Sequence, residues 1–177
     1  AGENGSSPMH WPFMDKSINY RWDSTNNQTS YIQLAGNPIS WFLAALSLLL
    51  SFSLIISHRI LKTPIKNHNN TYTLIEIFTL IYLIFIVIHL YLSSLRVMYL
   101  YHYFSGLFIS YVILALIWQY LEFSHANLKN NRRHILATSA ALIFFSYLFI
   151  APLTYHLPLK KEECLLRSSI IPSINCL

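Results

Sequence analysis

Charged side chains make up only 11% of this 177-residue chain, where a soluble domain carries about a quarter. Glycine is almost as scarce, at four residues, and none forms the glycine-rich loop that cradles a nucleotide phosphate. There are eight histidines but no HExxH, and no serine stands in a GxSxG elbow, so the commonest zinc-protease and serine-hydrolase signatures are absent. The two cysteines form no CxxC, and neither their spacing nor their neighbours suggest zinc. A basic leader with a short apolar core is also missing from the first residues. The acids number seven. Glu3, Asp15, Asp23, Glu162 and Glu163 lie outside the apolar runs, and no two are spaced as an acid/base pair. Glu76 and Glu122 lie at the ends of such runs and read as structural, Glu76 in the first turn of a helix where the macrodipole favours it.

What the chain has instead is length without charge. Hydrophobic residues make up 54% of it, in four runs at about 38–57, 74–94, 101–121 and 135–153. Each is about 19–21 residues, which at 1.5 Å per residue crosses a hydrocarbon core of roughly 30 Å. A soluble bundle would show a polar stripe at helical period; these runs show almost none. Lipid offers the backbone no hydrogen-bond partner, and a helix satisfies its own. The expected fold is therefore all-α and integral to a membrane, with four transmembrane helices within residues 37–154, a segment at 1–36 before them and a tail at 155–177 after them.

Charge sets the expected orientation. The connection after the first helix holds Arg59, Lys62 and Lys66 with no acid, and the one after the third holds Lys129, Arg132 and Arg133 with no acid. The positive-inside bias puts both in the cytosol and both termini in the lumen. The net charge of +5 is then explained by these loops and by anionic lipid, not by nucleic acid. On the luminal side fall the glycosylation triplets at Asn4 and Asn27, and Cys164 and Cys176, where an oxidising compartment permits a disulfide or leaves two free thiols. A third triplet at Asn69 falls on the cytosolic side.

Residues 1–36 read as polar and irregular, lying along the membrane interface, with Trp11, Trp22 and Trp41 at or near the luminal boundary. Asn37 followed by Pro38 starts the first helix as N-cap and first helical residue. The tail, with its mixed charges "KKEE" and two prolines, reads as a short, at most partly ordered luminal segment.

One stretch stands apart. "SSLRVMYLYHYFSG", Ser93–Gly106, gathers an arginine, a histidine and three tyrosines between two apolar runs. A plain reading makes Arg96 a snorkelling anchor in an aromatic belt. A sharper one has Arg96, Tyr101, His102 and Tyr103, beside a helix N-terminus, bind an anion such as a lipid phosphate at headgroup depth. His89 lies about one turn deeper and faces the bundle or the same pocket. A haem held by His89 and His102 is a third, weaker option.

"SPMHWPF", "YIQLAGNPISWF" and "RVMYLYHYF", in that order, resemble the C-terminal membrane region of the protein O-mannosyltransferases. The resemblance spans roughly residues 6–155 and rests on Trp11-Pro12, Gly36-Asn37-Pro38, Arg96 and Tyr101-His102-Tyr103. It implies a multi-pass enzyme of the endoplasmic reticulum membrane that moves mannose from dolichyl phosphate mannose to serine or threonine in the lumen. No cofactor is implied beyond that lipid-linked donor. The family's catalytic acids belong to an N-terminal half that these 177 residues do not contain, and Ser105 stands where the family usually has proline. The chain, beginning at Ala1, is then expected to be a piece of a transferase, or a relic of its last four helices, that does not catalyse transfer alone. Its expected partners are membrane lipid, dolichyl phosphate, and the N-terminal half or other membrane subunits. The alternative is a non-catalytic membrane subunit or scaffold that keeps this fold.

Overall fold

A computed structural model describes residues 5–25, 27–63, 69–124 and 126–176. Helices dominate it: α1 (Pro38–Arg59), α2 (Asn69–Leu95), α3 (Phe104–Ser124), a short α4 (Ala126–Asn130), α5 (Arg132–Thr154) and a tail helix α6 (Lys161–Ile170). Four segments are long and apolar enough to cross a membrane: Pro38–Arg59, Asn70–Leu95, Leu100–Glu122 and Arg132–Thr154. At 1.5 Å per residue the first is about 33 Å long.

α1, α2 and α3 form the packed centre. Where α1 meets α3 the side chains are small: Ala44 and Ser47 are buried, and Ser47 Oγ lies 2.7 Å from the Ala44 carbonyl and 2.9 Å from the Ser110 carbonyl across the interface. Small residues let two helix backbones approach, and a shared hydroxyl proton satisfies polar atoms that lipid cannot. α2 packs on α3; its Ile75, Thr79 and Tyr82 are buried, while Leu80, Ile84, Val87 and Ile88 point outward. That outward apolar surface is what a lipid-facing helix presents.

The N-terminal segment is not irregular. Residues Ile18–Ser24 (β1) and Thr29–Leu34 (β2) pair as an antiparallel hairpin, and Pro158–Leu159 (β3) adds to β2. The hairpin places Tyr31 and Gln33 inside and Ile32 outside, the two-residue alternation of a half-buried strand. Gln33 Nε2 donates to Ser17 Oγ, which donates to the Ser173 carbonyl at 2.6 Å, tying the hairpin to the tail. The fold thus has a second, smaller layer beyond the helices. α5 reaches into it: the Asn37 amide donates to the Ile143 carbonyl in mid-helix, so α5 runs on past the start of α1 and flanks β2.

Two ends of the bundle can be told apart. Arg59 at the end of α1 meets Glu76 of α2, and Arg132 at the start of α5 meets Glu122 of α3 at 3.5 Å. Both basic connections therefore lie at one end. The hairpin, the start of α1, the end of α2 and the start of α3 lie at the other. Glu76 is not in the first turn of α2. The helix begins at Asn69, because Tyr72 seats its ring 4.9 Å from His58 and continues the helix back through polar residues. Glu76 is held instead by Arg59 Nε and Nη2 at 2.7 and 2.9 Å and by the Tyr72 hydroxyl at 2.7 Å.

Candidate functional site

The polar turn lies between α2 and α3. Its backbone leaves α2 at Leu95, runs through Arg96–Tyr99, and makes a 3-10 turn over Leu100–Tyr103 that leads into α3. Met98, Leu100 and Tyr103 point into the core, at 2%, 1% and 1% exposure. Arg96 and Tyr101 point out, and His102 is half-buried. The alternation has a cause. Tyr103, Leu107 and Ser110 are spaced four and three apart, so they share one face of α3, and that face packs inward.

Tyr103 is therefore no donor for a ligand at headgroup depth. Its hydroxyl lies 3.0 Å from that of Tyr82, inside the bundle. Its ring meets Trp41 at 5.7 Å and Trp11 at 5.9 Å. Tyr103 anchors the turn, and the outward groups reduce to Arg96, Tyr101 and His102.

His102 has a fixed ring. It stacks on Tyr101 at 4.3 Å and lies nearly parallel to Trp11 at 6.4 Å. The Tyr99 backbone N–H points at Nδ1 from 3.3 Å. Nδ1 also lies 3.1 Å from the Tyr99 carbonyl, to which it donates in the other tautomer, so the Tyr99 backbone holds the ring whichever nitrogen carries the proton. The Arg96 guanidinium has no side-chain partner among the described residues. One exposed cation, one oriented imidazole and one exposed phenol thus share a connection of eight residues.

Trp11 is what the sequence reading missed. Its ring is fully buried in protein, as is nearly all of Trp41, while Trp22 alone of the three stays half exposed. The 3-10 turn Trp11–Phe13 drives its indole between α1, α2 and the polar turn. Its Nε1 donates to Ser6 Oγ at 2.8 Å, and its carbonyl accepts from Trp41 Nε1 at 2.8 Å. His89 meets the same indole edge-on at 5.5 Å, with Nδ1 donating to the Phe85 carbonyl at 2.8 Å. Both imidazoles of the haem option thus pack on Trp11. The Ser6 backbone N–H donates to the Met98 carbonyl at 2.9 Å, so the segment before the hairpin holds the turn by its backbone as well.

Gly36-Asn37-Pro38 has an equally local explanation. Asn37 Oδ1 accepts from the N–H groups of Ile39 and Ser40, both at 3.1 Å, and Pro38 opens the helix. A Cβ on Gly36 would fall 2.6 Å from Met14 Sδ and closer still to the Trp41 ring. An apolar cleft of about 200 Å³ opens here, between Gly36, Asn37 and Trp41 on one side and Leu100, Phe104 and Leu107 on the other.

The remaining predicted positions fall as follows. Asn27 is exposed in the turn between β1 and β2. Asn4 lies outside the described residues. Cys164 and Cys176 are joined by a disulfide that closes the tail into a loop. No group of three or more metal-ligating side chains occurs among the described residues.

No curated protein and no solved structure matches the chain. A family profile does: that of the "C-terminal four TMM region of protein-O-mannosyltransferase", over residues 2–171. With nearly its whole length matched and four membrane-length helices in place, the chain belongs to the protein-O-mannosyltransferase family, as its C-terminal four-transmembrane region.

Proposed function

We propose that this region helps bind dolichyl phosphate mannose for transfer of mannose to serine and threonine hydroxyls in the lumen of the endoplasmic reticulum. In that reaction a hydroxyl attacks the anomeric carbon, dolichyl phosphate leaves, and an acid outside these 177 residues takes the proton. The region's part is to hold the lipid and to stabilise the charge that grows on the departing phosphate. The observation that carries the reading is the exposed Arg96 guanidinium, without a side-chain partner among the described residues, beside the outward Tyr101 and the stacked His102. A phosphate there meets a fixed charge and up to two directional donors. The apolar cleft beside Leu100 and Phe104 suits the first isoprene units of the same lipid. The end of the bundle that carries this turn faces the lumen, with both termini, and the end that carries Arg59 and Arg132 faces the cytosol.

The test is donor crosslinking in the assembled transferase. Arg96→Ala should weaken binding of a photoreactive dolichyl phosphate by about 1.5–3 kcal/mol, the range for a hydrogen bond to a charged group. Arg96→Lys should lose part of that, because an ammonium cannot make the two-pronged contact. Equal crosslinking in wild type and both variants, at equal protein levels, would leave Arg96 as an interfacial anchor and sink the phosphate reading.

A further inference from the structure

A second cleft, of about 300 Å³, shares Trp41 with the one beside the polar turn and takes no part in the donor reading. Three segments make its walls: Phe13 and Asp15 from the Trp11 turn and its exit, Phe42 and Ala45 from α1, and Ile170 and Ser173 from the tail. The walls are tied to one another. Trp41 Nε1 donates to the Trp11 carbonyl at 2.8 Å, and the Ser17 N–H and hydroxyl both donate to the Ser173 carbonyl, at 3.1 and 2.6 Å. The Cys164–Cys176 bridge closes the tail that carries Ile170 and Ser173. The cleft is therefore preformed, as ligand sites usually are.

Its polar groups are few and under-used. Apart from the Trp41 indole N–H, which is already bonded, the lining side chains carry polar atoms at Asp15 and Ser173 alone. Asp15 Oδ2 lies 3.2 Å from His10 Nδ1, but Oδ1 is closed to solvent and has no hydrogen-bond partner. Ser173 is 3% exposed, and its Oγ is in the same state. A buried acceptor left without a donor is destabilising, and a carboxylate can only accept. No lysine or arginine pairs with Asp15 among the described residues, and Lys16 beside it bonds the Gly5 carbonyl instead. What the cleft lacks is donors and positive charge.

We propose that this cleft binds the primary ammonium headgroup of a phospholipid, of the ethanolamine type, from the leaflet at the hairpin end. The ammonium brings a charge that complements Asp15 and three N–H donors for Asp15 and Ser173 to accept. Phe13 and Phe42, both exposed, add aromatic rings to the walls, and ring faces attract a cation. A quaternary ammonium such as choline supplies the charge but no N–H, so the two unpartnered oxygens discriminate between these headgroups. A sugar would need more polar partners than two, and a phosphate would meet the like charge of Asp15. The acyl chain has a path along α1. Phe42, Ala45 and Leu49 are three and four apart and share one face of a helix long and apolar enough to cross a membrane, with Phe42 and Leu49 exposed on it. The proposal rests on the membrane-spanning fold and is independent of donor binding.

The test uses the full assembly in phosphatidylcholine nanodiscs, doped with either an ethanolamine or a choline phospholipid that carries the same diazirine in its acyl chain. Peptide mapping should find the ethanolamine probe on residues 38–49 on the order of tenfold above the choline probe, the low end for a hydrogen bond to a charged group, with equal yields of the two elsewhere on the membrane helices. Asp15→Asn keeps the shape but gives up the charge, and should remove most of that preference. Ser173→Ala removes the unpartnered hydroxyl and leaves the carbonyl tie to Ser17 in place, so it should lower the preference a few-fold without disturbing the fold. Equal labelling by the two probes in the wild type overturns the proposal, and so does a preference that survives Asp15→Asn. Should that variant fail to accumulate, an unchanged preference in Ser173→Ala overturns it alone. A cleft that neither probe labels, or that crosslinks to a polypeptide in their place, overturns the lipid occupant.

Discussion

Asn37 offers the most direct check on how this fold is fastened. It performs two separable jobs. Its Oδ1 accepts two backbone N–H bonds that open α1, and its Nδ2 donates 2.9 Å to the Ile143 carbonyl of α5. Loss of an N-cap costs about 1 kcal/mol. Loss of a neutral hydrogen bond costs about 0.5–1.5 kcal/mol. Asn37→Ala removes both and should cost about 1.5–2.5 kcal/mol. Asn37→Ser keeps a capping oxygen but cannot reach Ile143, so it should lose only the second part. Asn37→Asp keeps the cap and sets a carboxylate against the Ile143 carbonyl, so it should fall below serine. For a chain of this size 1 kcal/mol shifts a melting midpoint by roughly 2–4 °C. Thermal unfolding in detergent, followed by tryptophan fluorescence, should rank the proteins wild type, serine, aspartate, alanine. The last two separate the jobs: alanine measures cap plus bridge, and aspartate measures the bridge with a charge penalty. If alanine melts with the wild type, or serine melts with alanine, the cap does not carry the stability assigned to it. If aspartate melts with the wild type, the tie to α5 is incidental.

Three further outcomes follow from single contacts. Gly36→Ala should destabilise by about 1–3 kcal/mol, as overpacking does, because Met14 can yield but Trp41 is pinned by its bond to the Trp11 carbonyl; an unchanged melting midpoint would mean that the Trp41 ring has room. Opening the Cys164–Cys176 bridge by Cys164→Ser with Cys176→Ser should cost about 3 kcal/mol from chain entropy over a loop of about a dozen residues, and alkylation of unreduced wild-type protein should find no free thiol in the tail. Single cysteines introduced at Lys62 and Lys129 should react with an impermeant reagent from the same side of sealed microsomes, the cytosolic one, and one introduced at Asn27 only after the vesicles are opened; reaction of Asn27 and Lys62 variants from one side would end the proposed orientation.

The helices were legible in the sequence because one physical quantity decides them. Twenty uncharged residues in a row have one stable home, and nothing in the tertiary structure can reassign them. The hairpin was legible too and went unread. "INYRWDS" and "TSYIQL" alternate apolar and polar residues around a short polar connection, the ordinary signature of two paired strands, although only β2 alternates in burial and β1 is exposed beyond Asn19. The start of α2 was less accessible. "NNTYT" reads as a polar loop until Tyr72 is seen to lie against His58, a contact between residues fourteen apart that periodicity does not report. In the polar turn, the division between Tyr101 and Tyr103 follows from helical spacing with Leu107 and Ser110, but only once α3 is known to bury that face. The tail helix, ten residues with an apolar edge and charges gathered at its start, was hidden by its mixed composition.

Trp11 shows why the rest could not be read. A tryptophan beside prolines, just outside an apolar run, has two good homes: the interfacial belt, or a slot between helices. Which one wins depends on whether partners exist for the indole N–H and the surrounding backbone, and those partners come from distant parts of the chain. Ser6 takes the N–H, Trp41 takes the carbonyl, and His89, His102 and Tyr103 surround the ring. Once seated, the indole does more than fill space. His102 is held between it and Tyr101, and the Met98 carbonyl is bound by the Ser6 N–H. The orientation of the imidazole in the polar turn is therefore set by a segment more than ninety residues earlier in the chain. The three motifs "WPF", "GNP" and "RVMYLYHY" thus act on one another in this fold: the first wedges the turn, the second fixes the helix that carries Trp41, and the third presents what the other two have positioned.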